Sequence, residues 1–366
     1  MKMNFKNIIL IVLFISFIAN DSFAGFKGNL SYNASFDDNG YRMNSYQQVM
    51  VHNTNLNLKY SPENTMLNFQ YNPSFSLIPQ LDNLTILDNQ FSIGYTYGYD
   101  EESASNLQFS GNVGVHNNSG DLELYNNYSY SLFASINHYF DEASTIRAGY
   151  RFAGLSYYNY NPISNRENLF FIGYKSFFET NTSINLEVDY GIKSYNSSGG
   201  GMGMGKGKQT TENPSQILLN AKIAQSLAEF TGISIAYSQA FNMNNGYEYL
   251  LDFNPDMIFE KEVYDDPYSY DGFETSVTLT QIIGNNLKAK LIGFYVKKRF
   301  QYTTNFDHSE EYPNRNDESS GVGLSVEKGF GKLGLILNYN FLHNKSNSEY
   351  FNYNSNSVSF SIKYNF

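Results

Sequence analysis

Phe26-Lys27-Gly28-Asn29-Leu30-Ser31-Tyr32-Asn33-Ala34-Ser35-Phe36 alternates without interruption. Phe26, Gly28, Leu30, Tyr32, Ala34 and Phe36 interleave with Lys27, Asn29, Ser31, Asn33 and Ser35. A two-residue period is a β-strand with two unlike faces, and this one is about as long as a tilted strand that crosses a bilayer. The pattern returns along the chain. Phe91, Ile93, Tyr95, Tyr97 and Tyr99 alternate with Ser92, Gly94, Thr96 and Gly98; Ile184, Leu186, Val188, Tyr190 and Ile192 alternate with Asn185, Glu187, Asp189, Gly191 and Lys193. Leu333 to Phe341 repeats it, and the last stretch ends Val358, Phe360, Ile362, Tyr364, Phe366 at two-residue steps.

Sixteen such segments are expected: 26–36, 48–60, 66–77, 89–99, 106–116, 128–140, 145–156, 168–177, 182–194, 216–225, 232–241, 272–282, 287–302, 319–328, 333–343 and 356–366. The segment 287–302 is the least regular, since Ile292, Phe294 and Val296 fall on its polar side; a bulge there would reset the phase. The connections alternate too. Long ones at 37–47, 78–88, 117–127, 157–167, 195–215, 242–271, 303–318 and 344–355 trade places with short ones such as Asp141-Glu142-Ala143-Ser144 and Glu179-Thr180-Asn181. Long loops on one side and short turns on the other are the asymmetry of a transmembrane barrel. A soluble sandwich alternates as well, but with strands of about 5–6 residues. Biased codon usage would enrich Tyr, Asn and Phe without giving them a phase.

Composition conceals all of this. The 366 residues have a mean hydropathy of -0.42, a net charge of -11, no Cys, no Trp, 32 Tyr and 30 Phe. Without cysteine there is no disulfide framework, thiolate metal site or Cys nucleophile. The acidic balance argues against a nucleic-acid partner. Residues 1–24 read as a secretory signal peptide: Lys2 and Lys6, an apolar run from Ile8 to Ala19, then Ser22-Phe23-Ala24 before Gly25, with cleavage after Ala24. Residues 25–366 then form one barrel domain, without room for a plug or a periplasmic domain ahead of the first strand.

With these residues in view, the chain resembles the Gram-negative outer-membrane β-barrel superfamily and is porin-like in size and strand count; it matches no particular porin family. Phe360, Ile362, Tyr364 and terminal Phe366 resemble the C-terminal signal read by barrel-assembly machinery. The absence of Trp departs from the usual interfacial girdle, which Tyr can supply. The resemblance implies an all-β, antiparallel, up-and-down barrel of about 16 strands, with 14 or 18 as alternatives. Both termini would be periplasmic, and the protein would be integral to the outer membrane among its lipid and lipopolysaccharide.

Sixteen strands leave an aqueous lumen. By phase, Lys27, Lys59, Arg147, Arg151, Lys175, Lys193, Lys222, Lys288, Lys290, Lys298 and Lys363 point inward, with Glu187, Asp189, Glu274 and Glu327. Rings of basic side chains favour anions. Arg147, Arg151, Lys175, Glu187, Asp189 and Lys222 lie on four consecutive strands, as a solute-orienting constriction or as an ion-pair ladder that stiffens the wall. The loop 242–271 carries Glu248, Asp252, Asp256, Glu260, Glu262, Asp265, Asp266 and Asp271; it reads as a solvated acidic loop rather than a Ca²⁺ site, and its length lets it fold into the mouth. Gly199 to Lys208, with Met202 and Met204, reads as a flexible loop rather than a Cu(I) site. His52, His116 and His343 fall near the outer rim, His308 in a loop and His138 on the lipid face, without a hydrolytic triad that spacing alone assembles.

The expectation is a passive channel for small hydrophilic solutes, weakly anion-preferring, without a cofactor, and either monomeric or a homo-oligomer. The alternatives are an adhesion barrel displaying acidic loops and, behind it, a barrel-borne hydrolase.

Overall fold

The computed structural model describes residues 25–40, 47–63, 65–100, 104–159, 161, 164–196, 213–243, 265–284, 286–300 and 315–366. The leader 1–24, the Met-bearing loop 199–208, His308 and most of the acidic loop lie outside them. The strands are β1 (Phe26–Asp37), β2 (Val49–Tyr60), β3 (Leu67–Ile78), β4 (Leu84–Asp100), β5 (Ser105–Asn118), β6 (Asn127–Tyr139), β7 (Ser144–Tyr157) and β8 (Asn165–Phe178). They continue as β9 (Thr182–Tyr195), β10 (Ser215–Ala228), β11 (Thr231–Asn242), β12 (Tyr270–Ile283), β13 (Leu287–Phe300), β14 (Asn316–Phe330), β15 (Leu333–Ser346) and β16 (Tyr353–Asn365). Each pairs antiparallel with its sequence neighbours, and β1 pairs with β16, so the sheet closes on itself. Closure removes both sheet edges and satisfies every ladder hydrogen bond within the chain, which hydrocarbon requires.

Outward positions carry the large apolar side chains. Phe91, Ile93, Tyr95, Leu132, Ile172, Leu186, Ile223, Leu291, Leu337 and Phe360 all stand exposed on that face, because no protein covers it. Aromatic rings gather towards both ends of the strands. Phe26, Tyr60 and Phe69 stack in series at the short-turn end, with centroids 5.6 and 6.3 Å apart. Tyr237, Phe273 and Tyr295 do so towards the long-loop end, at 6.1 and 5.7 Å. Tyrosine thus builds the two interfacial belts that tryptophan usually shares.

Three details differ from the sequence reading. The connection read as 78–88 is a tight turn at 79–83, since β4 begins at Leu84 and pairs residue for residue down to Ile78. Asp82 and Asn83 take the left-handed backbone (φ 45° and 57°) that reverses it, a conformation open to short Asx side chains. Several strands rise further on the long-loop side than their alternation suggests; β8 begins at Asn165, β14 at Asn316 and β16 at Tyr353. Finally, β13 holds no bulge: its ladders to β12 and β14 run unshifted from end to end. Ile292 and Phe294 keep the inward phase because Gly323 and Gly321 face them on β14. The Phe294 ring lies over Gly321, filling the space that a side chain there would take.

Candidate functional site

The inner face is a lattice of amides and hydroxyls. Asn53 Nδ2 donates to Ser76 Oγ at 2.7 Å, Asn112 Nδ2 to Ser131 Oγ at 3.0 Å and Asn338 Nδ2 to Ser359 Oγ at 3.0 Å, each across one strand pair. Asn and Ser at alternate positions make this a wall that water can wet.

The chain returns to this wall after β11. A 3₁₀ turn at Pro267–Ser269, capped by Asp266, lies against β8, β9 and β10. Asp266 is 1% exposed; its carboxylate accepts from Lys193 Nζ at 3.0 Å, from the Tyr195 hydroxyl and from the Tyr268 backbone N–H at 2.9 Å. Lys193 itself is 4% exposed. The Tyr268 hydroxyl reaches past the turn to donate to Glu167 Oε1 at 2.7 Å, and Gln216 Nε2 donates to the Pro267 carbonyl. On the far flank Lys298 Nζ holds the Asp265 carboxylate at 2.5 and 2.6 Å. Tyr268 fits because Gly191 lies beneath it; any Cβ there would collide with the phenol. Burial and the neighbouring Glu167 carboxylate push the Tyr268 phenol well above its ordinary pKa, so it stays a donor.

The residues singled out from sequence divide between several places. Arg151 Nη2 donates to Glu167 Oε2 at 2.7 Å, so Arg151, Glu167, Lys193 and the turn form one cluster, with Asp189 and Gly191 beside it on β9. Asp189 lies beside Leu218 in register, and Asn220, opposite Glu187, donates to its Oδ2 at 3.4 Å. Arg147 stands apart, its guanidinium over the stacked rings of Phe133 and Phe171, 5.3 and 4.8 Å from their centroids. Lys175 lies over Phe177 near the short-turn end. Lys222 sits between Asn185 and Ala236 in register, Lys288 faces Glu327, and Lys290 lies between Thr280 and Ser325. Lys27 and Lys59 face each other directly across β1 and β2, and Lys363 on β16 lies opposite Ser31, four residues further along β1.

The charge count of the inner face needs correcting. Asp37, Asp88, Glu167 and Asp317, read from sequence as loop residues, fall on the same phase as the lumen lysines because β1, β4, β8 and β14 extend to include them. Lys193, Lys298 and Arg151 are each matched by a carboxylate. Lys288 faces Glu327, and the inward cations that remain without an ion pair among the described residues are Lys27, Lys59, Arg147, Lys175, Lys222, Lys290 and Lys363, most of them in the short-turn half of their strands.

Two features escaped the sequence. Arg315 is packed between the Phe300 and Phe351 rings (4.1 and 3.4 Å) and donates to Asp317 through Nε at 2.9 Å, which ties the long-loop rim of β13 to the 3₁₀ turn at Glu349–Phe351, between β15 and β16. His116 Nδ1 meets Asp88 Oδ1 at 2.5 Å, and Ser74 Oγ donates to Asp88 Oδ2 at 3.2 Å. That serine touches the carboxylate and not the imidazole, so the set lacks the serine–imidazole contact of a hydrolytic triad. His52 and His343 bond Tyr32 and Asn354 respectively, His52 at 2.7 Å.

Solved structures share this architecture. CdiB from Acinetobacter baumannii superposes with a TM-score of 0.58 over 93% of the chain at 8% identity, and the chain spans 60% of that protein's length. OccAB3 of Acinetobacter baumannii gives 0.52 at 11% identity, covering 93% of this chain and 98% of the other. OccK2 of Pseudomonas aeruginosa, solved in complex with glucuronate, gives 0.50 at 9%, with the same coverage of both chains. What these proteins share with the chain is the fold, a closed antiparallel β-barrel. No protein-family model matches the sequence, and none of the curated proteins does.

Proposed function

We propose that the protein is an outer-membrane channel through which small hydrophilic solutes diffuse, with a weak preference for anions. The observation that carries this is the inner face itself: a closed ring of sixteen strands whose inward positions are mostly amides, hydroxyls and charges, with a short turn laid against the wall among the described residues. A barrel of this strand number leaves an aqueous passage. In this reading residues 1–24 are a removed leader, the short turns and termini face the periplasm, and Phe360, Ile362, Tyr364 and Phe366 present the assembly signal. Arg147, Arg151, Lys175, Glu187, Asp189, Lys222, Lys288 and Lys290 line the solute path, whereas Lys193, expected from its phase to line it, is buried against Asp266 of the turn.

The anion preference rests on Lys27, Lys59 and Lys363. Like charges directly opposite on neighbouring strands repel, and a passing anion relieves that repulsion. Planar bilayers holding the purified barrel in a salt gradient test both claims. The expected reversal potential has the sign of anion preference, and Lys27→Gln with Lys59→Gln moves it towards the cation side. Cation selectivity in the wild type overturns the preference; a folded barrel without conductance overturns the channel.

A further inference from the structure

A recess of about 410 Å³ opens between the turn and the inner wall of β4 to β9, within the usual range of small-molecule sites. We propose that it binds a small neutral polyhydroxylated solute, a saccharide, in transit. This deepens the channel reading and rests on it.

The recess exists because two neighbouring strands carry only small groups at its floor. Ser129 and Ser131 on β6 and Ala153 on β7 take inward positions there, where bulkier residues would fill the hollow. Around that floor stand the planar polar groups of Gln90, Asn112 and Asn165. Tyr268 forms the wall on the turn side. Its ring is fixed at one edge by the bond to Glu167 and seated on Gly191, so it meets a ligand without first being ordered.

Charge decides the ligand class. The two cations at the recess are Arg151 and Lys193, and each is already matched by a carboxylate, Glu167 and Asp266. The formal charge of the four groups is zero, so a free anion gains little here. What remains on offer is hydrogen bonding of both polarities from forked groups. The amide of Gln90, which has no intramolecular partner among the described residues, presents a donor and an acceptor in one plane, and the Arg151 guanidinium, which bonds Glu167 through Nη2, presents further N–H donors beside it. Adjacent hydroxyls on a sugar ring match that spacing, and the ring's C–H face suits an aromatic wall. An aliphatic dicarboxylate matches neither feature.

Maltose is the probe, added to the full barrel in planar bilayers. The expected result is reversible blocking of the open current that saturates with concentration. Gln90→Ala with Asn112→Ala weakens half-saturation about tenfold, as the loss of two neutral hydrogen bonds implies. The ratio of blocked to open current is read, so any change in open conductance cancels. The chain has no tryptophan, so Tyr268→Trp adds a single fluorophore whose emission changes saturably with maltose, a readout independent of the alanine variants. Block that grows linearly and equals that of a polyethylene glycol of the same radius overturns the site. So does block by succinate but not maltose, and so does saturable block unaltered in the double variant. A barrel that conducts without saturable block loses this site alone, whereas one that never conducts loses the channel reading beneath it.

Discussion

Asp266 and Lys193 are the most deeply buried opposite charges described in the barrel, and their side chains, 0% and 5% exposed, touch at 3.0 Å. Such a pair adds little net stability over a well-packed apolar pair, but removing one member strands the other without its counter-charge, at a cost of about 3–5 kcal/mol. Asp266→Asn is therefore expected to release the turn from the wall while the strands stay closed. Cysteine chemistry reads this cleanly, since the chain has no cysteine of its own. Ser269→Cys, a buried position, should react slowly with a water-soluble thiol reagent in the native background and much faster once Asp266→Asn is added. Equal rates in both would mean that the pair does not hold the turn. Of the two partners only Lys193 was legible in the sequence. Its inward direction follows from alternation on β9, whereas Asp266 is one acid among many in a loop, 73 residues away, and nothing local says which acid meets the lysine.

At the level of the strand, legibility follows the solvent. One face meets hydrocarbon and the other water, so period two is written wherever the barrel crosses the membrane, and all sixteen strands could be located from it. Above the belts both faces meet water, the contrast vanishes, and the ends of β1, β4, β8, β14 and β16 read as loops. That error moved Asp37, Asp88, Glu167 and Asp317 out of the lumen and exaggerated its cationic excess. The opposite failure occurs in β13, where Ile292, Phe294 and Val296 look like the lipid face but are not; their room comes from glycines on another strand. The unshifted register makes a sharp prediction. Leu291→Lys places a charge in hydrocarbon and is expected to cost about 2–4 kcal/mol. Ile292→Lys, one residue on, faces the lumen and should cost far less. Urea-induced unfolding of the two variants in lipid vesicles measures the difference; a larger loss for Ile292→Lys would restore the bulge.

The whole molecule depends on one seam. Every other strand pair joins sequence neighbours, but β1 and β16 meet only when the chain has come full circle, by Asn29 opposite Asn365 through to Asp37 opposite Ser357. At its short-turn end the Gly28 N–H donates to the Phe366 carbonyl at 3.0 Å, and the Phe366 N–H donates back to the Gly28 carbonyl at 2.9 Å. The Phe366 ring then lies across Gly28: a Cβ there would stand 2.3 Å from a ring carbon and 3.1 Å from the Asn57 carbonyl oxygen. Gly28 is thus a requirement of closure, set by an aromatic residue more than three hundred positions away, and it reads in the sequence as merely a small member of the apolar face. Gly28→Val should displace the Phe366 ring and open the end of the seam. Gly28→Val paired with Phe366→Ala should recover part of the loss, because the ring that the valine strikes is gone. Folded barrels that resist unheated detergent migrate faster on gels than their heated forms, so the fraction of fast-migrating protein after refolding into vesicles reads closure. The expected order is wild type, then the double variant, then Gly28→Val alone. Refolding of Gly28→Val at the wild-type yield would show that the seam closes without this contact.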